Sequence, residues 1–161
     1  MHSLKHTNSR STHCNNTISI HLCLNNLLNI FFIYGNSFCM HFMFFNRVAI
    51  DDAYGGLAFQ EEGERCAQLL KDPKVKTLVM GNHGVRVIGD TVAETWNRLY
   101  YFERAAQTYI TALQTGMELD FLSDEVAEKT AHEIETYPEQ DIRHLAELKA
   151  ILDDEGSDYA A

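Results

Sequence analysis

Beyond residue 50 the sequence predicts a layered α/β fold. Short β-prone runs at 47–50, 77–80 and 85–88 alternate with helical patterns. Two of those runs flank Gly81-Asn82-His83-Gly84, a composition that turns a chain sharply. The third observation is a break in composition at Ile50. Residues 1–50 hold no Asp or Glu, so all 23 acidic residues follow, and the same stretch has five of the eight His and three of the four Cys. The order βαββα and then two further helices indicates helices layered on a sheet.

Taking the elements in turn, Arg47-Val48-Ala49-Ile50 is a β-prone run stopped by Asp51-Asp52, and Tyr54-Gly55-Gly56 reads as a turn. Residues 61–70 predict a helix, with acids in the first turn and Cys66, Leu69 and Leu70 on its apolar side. Asp72-Pro73 ends it. Leu78-Val79-Met80 is continuously apolar, as in a strand covered on both faces, and Gly89-Asp90 closes the run after it. Thr91-Val92-Ala93-Glu94 is a capping-box pattern that starts the longest helix, from 91 to about 115. Val92, Trp96, Leu99, Tyr100, Ala106, Ile110 and Leu113 form its expected core stripe, widened by Tyr101, Phe102 and Tyr109. Gly116 is the expected stop. Ser123-Asp124-Glu125 caps a helix running to about Tyr137-Pro138, and residues 139–153 predict a last one with Ile142, Leu145, Leu148 and Ile151 or Leu152 on its apolar side.

The first 43 residues form an atypical segment with no homologous module expected, and residues 44–155 form the domain. The polar, Asn-rich opening has no sustained period. Residues 27–45 approach the length of a membrane span, but Asn29, Gly35, Asn36, Ser37 and His41 interrupt them, so no span is expected. The start is not compactly basic and no small-x-small site follows the apolar stretch, so no signal peptide is expected. Three fragments resemble metal ligands: His2 with His6, His13-Cys14, and His21-x-Cys23. None has the carboxylates or the second well-spaced pair that a site needs. The Asn15-Asn16-Thr17 sequon matters only in a secreted chain. Cys14, Cys23, Cys39 and Cys66 show no disulfide-framework spacing, and reduced thiols in a cytoplasmic protein are the expectation. A net charge of −10 argues against a nucleic-acid binder, which needs a clustered cationic surface.

One residue looks chemical. His83 sits between glycines at a hairpin tip, free to present a ring nitrogen to a ligand or a metal, although such an isolated histidine is more often a turn or packing residue. His132 and His144 fall in helical patterns and read as surface or packing groups.

Several stretches resemble the class II aldolase/adducin family: 44–49, Asp52-Ala53-Tyr54-Gly55-Gly56-Leu57-Ala58, Glu62-Gly63-Glu64-Arg65, Leu78 to Val85 around Asn82-His83-Gly84, 89–94, and Tyr100-Tyr101-Phe102-Glu103-Arg104-Ala105. The resemblance covers about 44–115, is to the enzyme-type branch, and continues through a tail like that of one subset of the family. It implies a three-layer α/β/α class II aldolase-like domain with a mostly antiparallel sheet, of which the N-terminal half is missing here. It also implies zinc, bound in the full-length family and used as a carbon–carbon lyase or epimerase centre on small sugar phosphates or related hydroxy-carbonyl compounds. By resemblance His83 matches the third zinc histidine. The other two lie in a His-x-His pair, with an acid/base glutamate upstream. This sequence has no His-x-His pair anywhere and no glutamate before Glu61. The expectation is therefore a truncated domain that has His83 as its metal residue, no catalytic residue and no zinc of its own. The alternative is a non-catalytic, adducin-like structural or interaction protein. Expected partners are a small-molecule substrate in full-length relatives and a homo-oligomer built on the aromatic face of the 91–115 helix.

Overall fold

The computed structural model describes residues 18–22, 42–55, 60–81 and 83–160. The fragments His2/His6, His13-Cys14 and Cys39, the sequon, the apolar run up to residue 41, the glycine of the turn at 56 and Asn82 lie outside them. So do the side chains of His21 and Cys23.

Among the described residues the elements run β1 (Ile18–Leu22), a 3-10 turn (Phe42–Phe44), β2 (Val48–Asp51), α1 (Gln60–Leu69), β3 (Thr77–Met80), β4 (Gly84–Gly89), α2 (Val92–Gln114), α3 (Asp124–Glu135) and α4 (Gln140–Asp154). The strands form one sheet in the order β1-β4-β3-β2. It is mixed where the sequence suggests a mostly antiparallel sheet: β1–β4 and β3–β4 are antiparallel, whereas β2 and β3 are parallel, Val48 facing Thr77 and Asp51 facing Met80. The reason is the connection. β3 and β4 are joined by a tight turn and must run opposite ways, but β2 reaches β3 through α1, and a strand–helix–strand crossover returns the chain in the same direction. β1 falls in the segment that shows no sustained period. Its Ile-Ser-Ile-His-Leu alternates at period two, but over only five residues.

All four β3 residues are buried, as a doubly covered strand requires. Leu78 and Met80 pack with Cys66 of α1, alongside Ala49, Tyr54, Leu69 and Leu70. Val79 turns to the other face, where Met43, Phe44, Val85, Phe102 and Ala105 form the larger cluster under α2. Phe102 meets Phe44 edge-on, with ring centroids 5.3 Å apart at 88°, a geometry that puts a positive ring edge on a negative ring face.

The α2 cap is present: Thr91 Oγ1 accepts the Glu94 N–H at 3.0 Å. The Glu94 carboxylate, however, accepts the N–H of Asp90 at 2.8 Å and pairs with Lys76 at 2.6 Å. Gly116 adopts φ +67° just past the end of α2, as a C-terminal stop does. The buried face of α2 differs from the expected stripe. Thr95, Arg98, Phe102, Ala105 and Tyr109 recur at spacings of three and four and point inward, while Val92 is 53% and Leu113 37% exposed. On α4, Leu145, Leu148 and Leu152 are half-buried and Ile142 and Ile151 are exposed.

α3 is held by charge as well as by Ala127 and Ala131. Arg47, 1% exposed, donates from Nη1 and Nη2 to Glu128 at 3.1 and 3.2 Å, and its Nε lies 2.9 Å from Glu135 Oε2. Burial disfavours the Arg47 charge, yet the two carboxylates more than offset it and hold its pKa above the ordinary value.

Candidate functional site

The β3–β4 turn is fixed from three sides. His83 N–H donates to Met80 O at 3.1 Å, closing the turn. Gly81 N–H donates to Asp51 O at 2.9 Å, tying the tip to the end of β2. Gly81 has to be small: a Cβ there would stand 3.2 Å from the carbonyl oxygens of both Asp51 and Asp52.

The chain leaving β2 is clamped by α1. Asp51, 3% exposed, accepts from Arg65 Nε at 2.9 Å and from Ala53 N at 3.2 Å. Arg65 Nη2 donates to Ala53 O at 3.3 Å, and Gly55 N–H donates to Glu62 Oε1 at 2.7 Å. The hydrogen bond to Asp51 raises the Arg65 pKa above its ordinary value. Held in this way, Tyr54 places its ring 5.0 Å from that of His83, tilted by 41°. His83 is half-buried under the phenol.

Cys66 lies behind this arrangement, its Sγ 4.0 Å from Asp51 Oδ2. Burial pushes the thiol pKa up, with Asp51 adding to the effect against the pull of Arg86 and Arg65. A thiol kept protonated is neither nucleophile nor metal ligand.

The other described histidines are elsewhere. His132 is exposed on α3. His144 lies between α2 and α4, its Nδ1 2.7 Å from Asn97 Oδ1 and its ring 4.4 Å from Trp96 and 4.7 Å from Tyr100. Burial lowers its pKa. His83 is thus not joined by His132 or His144, and among the described residues no three His, Cys, Asp or Glu side chains form a metal-holding group. A zinc centre takes three or more protein ligands, so the described residues around His83 do not fit zinc. They fit a single imidazole presented beside a phenol. The Tyr54 stack depends on β2 lying beside β3, and the Asp51–Arg65 clamp on α1 packing against β2.

Residues 12–110 match the model of the "Class II Aldolase and Adducin N-terminal domain". The match starts upstream of residue 44 and takes in β1. The "Putative aldolase class 2 protein" of Caulobacter vibrioides is 36% identical over 76 residues, 47% of this chain and 29% of that protein. The Drosophila melanogaster protein hu-li tai shao is 28% identical over 102 residues, 63% of this chain and 9% of that one. The chain therefore spans less than a third of either relative. Among solved structures, an aldolase II superfamily protein from Pseudomonas syringae superposes with a TM-score of 0.77 at 24% identity, over 89% of this chain and 59% of the other. That likeness carries the fold.

Proposed function

Since this chain belongs to the class II aldolase and adducin family, we propose that its β3–β4 tip is the single-histidine part of a lyase- or epimerase-type site for small hydroxy-carbonyl compounds such as sugar phosphates, and that the chain alone is catalytically silent. The observation that carries this is His83 itself: one imidazole, held between Gly81 and Gly84 at a clamped turn and stacked on Tyr54. The silence follows from the sequence. Without a His-x-His pair, and with no glutamate ahead of Glu61, it lacks the remaining ligands and the proton-transfer group that the family's chemistry uses. Residues 44–155 are the proposed domain, to which β1 adds a strand and Met43 core packing.

The alternative is a non-catalytic, adducin-like interaction protein, favoured by the same lone imidazole. The aromatic face of α2 is then the proposed contact between copies, since Trp96, Leu99 and Tyr100 line an open hollow of about 370 Å³. A cytoplasmic location belongs to both readings. No described helix is long and apolar enough to cross a membrane.

Metal analysis of the purified chain and of His83→Ala, with a retro-aldol assay on ketose and aldose phosphates, tests the proposal. The expected result is substoichiometric zinc that His83→Ala does not change, and no turnover in either protein. One zinc per chain, lost on His83→Ala together with measurable lyase activity, would overturn it.

A further inference from the structure

Arg98 lies in the second turn of α2 and is 4% exposed. Its Nη2 donates to Glu94 Oε1 at 3.3 Å, while Nε and Nη1 are buried with no hydrogen-bond partner among the described residues. Glu94 is already committed elsewhere. Its Oε1 is 2.6 Å from Lys76 Nζ, and its Oε2 accepts the Asp90 N–H. Burial would raise the Glu94 pKa, but the Lys76 bond and the Asp90 N–H hold it below the ordinary value, so it stays a carboxylate.

Four cations, Arg47, Lys74, Lys76 and Arg98, stand among four carboxylates, Glu94, Glu128, Glu135 and Asp141, but the pairing is uneven. Arg47 and Lys74 are matched by Glu128 and Glu135. Lys76 and Arg98 share the single carboxylate of Glu94. A buried guanidinium with unmet donors is costly unless an acceptor arrives.

A hollow of about 310 Å³ opens beside Arg98, between the start of α2, the end of α3 and the start of α4. Glu94 and Arg98 also wall a second hollow of about 290 Å³, on the Lys74–Lys76 side. The first is lined by the neutral polar groups Thr91, Asn97, Tyr137 and Gln140, and by the carboxylates Glu135 and Asp141 as well as Glu94. Asn97 Oδ1 lies 2.7 Å from His144 Nδ1, and the amide nitrogen of Asn97 is a donor. Lys76 precedes β3 and Thr91 follows β4, so this hollow sits at the open end of the hairpin, opposite the His83 tip.

We propose that this hollow is a binding site for a small oxyanion, the carboxylate or phosphate group of a small molecule, received by Arg98 with Lys76 behind it. The two free nitrogens lie beneath the wall, so binding requires Arg98 to turn outward. The bond it gives up, at 3.3 Å, is the longest of the three contacts that Glu94 makes. Glu135 and Asp141, both on the wall, oppose an anion; Glu135 is paired with Arg47, and Asp141 provides a control. The site is independent of the reading of His83.

The test uses the full chain, titrated with sodium phosphate and separately with sodium acetate against sodium chloride at equal ionic strength, read by thermal unfolding and calorimetry. Saturable stabilisation beyond chloride is expected. Response to phosphate alone assigns a phosphate group, and response to acetate assigns a carboxylate-sized one. Arg98→Lys should weaken binding roughly tenfold, the loss of one charge-assisted contact, whereas His83→Ala should leave it unchanged. Asp141→Asn should tighten binding, which keeps the idea testable if Arg98→Lys fails to fold. No saturable response to either salt, or one that neither Arg98→Lys nor Asp141→Asn alters, would overturn the proposal.

Discussion

Phe102→Ala is expected to cost about 3–5 kcal/mol, the range for removing a large aromatic ring from a packed core. The residue is 1% exposed and shares its cluster with Met43, Phe44, Val79, Val85 and Ala105. Its ring joins three parts of the chain: α2, on which it sits, the 3-10 turn through Phe44, and the sheet through Val79 and Val85. Of the buried neighbours only Met43 is flexible enough to move into the vacated volume, since Ala105 is already small and Val79 and Val85 are fixed on strands. Against a total stability of about 5–15 kcal/mol for a domain of this kind, the loss takes a large share of the margin. Urea unfolding followed by circular dichroism should show a sharply lowered midpoint with helical signal retained in water. A midpoint within the range of a surface substitution would mean that this cluster is not the core.

Arg47→Leu is the second. Breaking a fully buried ion pair costs about 3–5 kcal/mol. Here about 2–3 kcal/mol is expected, because the Glu128 side chain is 36% exposed and water re-solvates it. Most of the effect comes from Glu135 and from the Phe45 carbonyl, which Arg47 Nη1 engages at 2.6 Å. The variant should also respond differently to acid. Hydrogen bonds from Arg47 and then Lys74 hold the Glu128 carboxyl at about 2, against an ordinary 4.5. A depressed folded-state pKa stabilises above the unfolded value and is lost as pH falls through the folded one. The native chain should therefore lose stability between about pH 4.5 and 2, and Arg47→Leu should flatten that slope. Equal slopes in the two proteins would place the acid sensitivity elsewhere.

What could be read in the sequence was local. The β3–β4 hairpin follows from two β-prone runs around Gly81 and Gly84, and the ends of α2 from Thr91 and Gly116. His83 stands at that turn, half-buried beside Tyr54. The inward face of α2 was not, because the helix is apolar nearly all round. With Val92, Trp96, Leu99, Tyr100, Tyr101, Phe102, Tyr109 and Ile110 on it, periodicity permits more than one phase. The phase is set by distant groups: Lys76 draws Glu94 and hence Arg98 inward, and α4 covers Trp96 and Tyr100 with His144. The strand–helix–strand order implies that β2 and β3 run parallel but not which residues meet, so the register that sets Asp51 beside Met80 was hidden. With it went the Tyr54 stack and the Arg65 clamp, the parts of the candidate site that fix how His83 is presented. Arg47 gives no hint at all, as its partners Glu128 and Glu135 lie more than eighty residues away.

The packing of α4 on α2 also gives the molecule a built-in optical gauge. Trp96 is the chain's one tryptophan, and its indole is 4.4 Å from the His144 imidazole and 5.4 Å from the Tyr100 ring. An imidazolium accepts an electron from excited indole far more readily than neutral imidazole does, and burial keeps His144 neutral to lower pH than usual. Emission from Trp96 should stay bright near neutrality, dim as His144 takes up its proton, and shift to the red when α4 lifts away and water reaches the indole. A cuvette and a single wavelength thus follow one helix contact in the unlabelled protein, separately from the fate of the sheet.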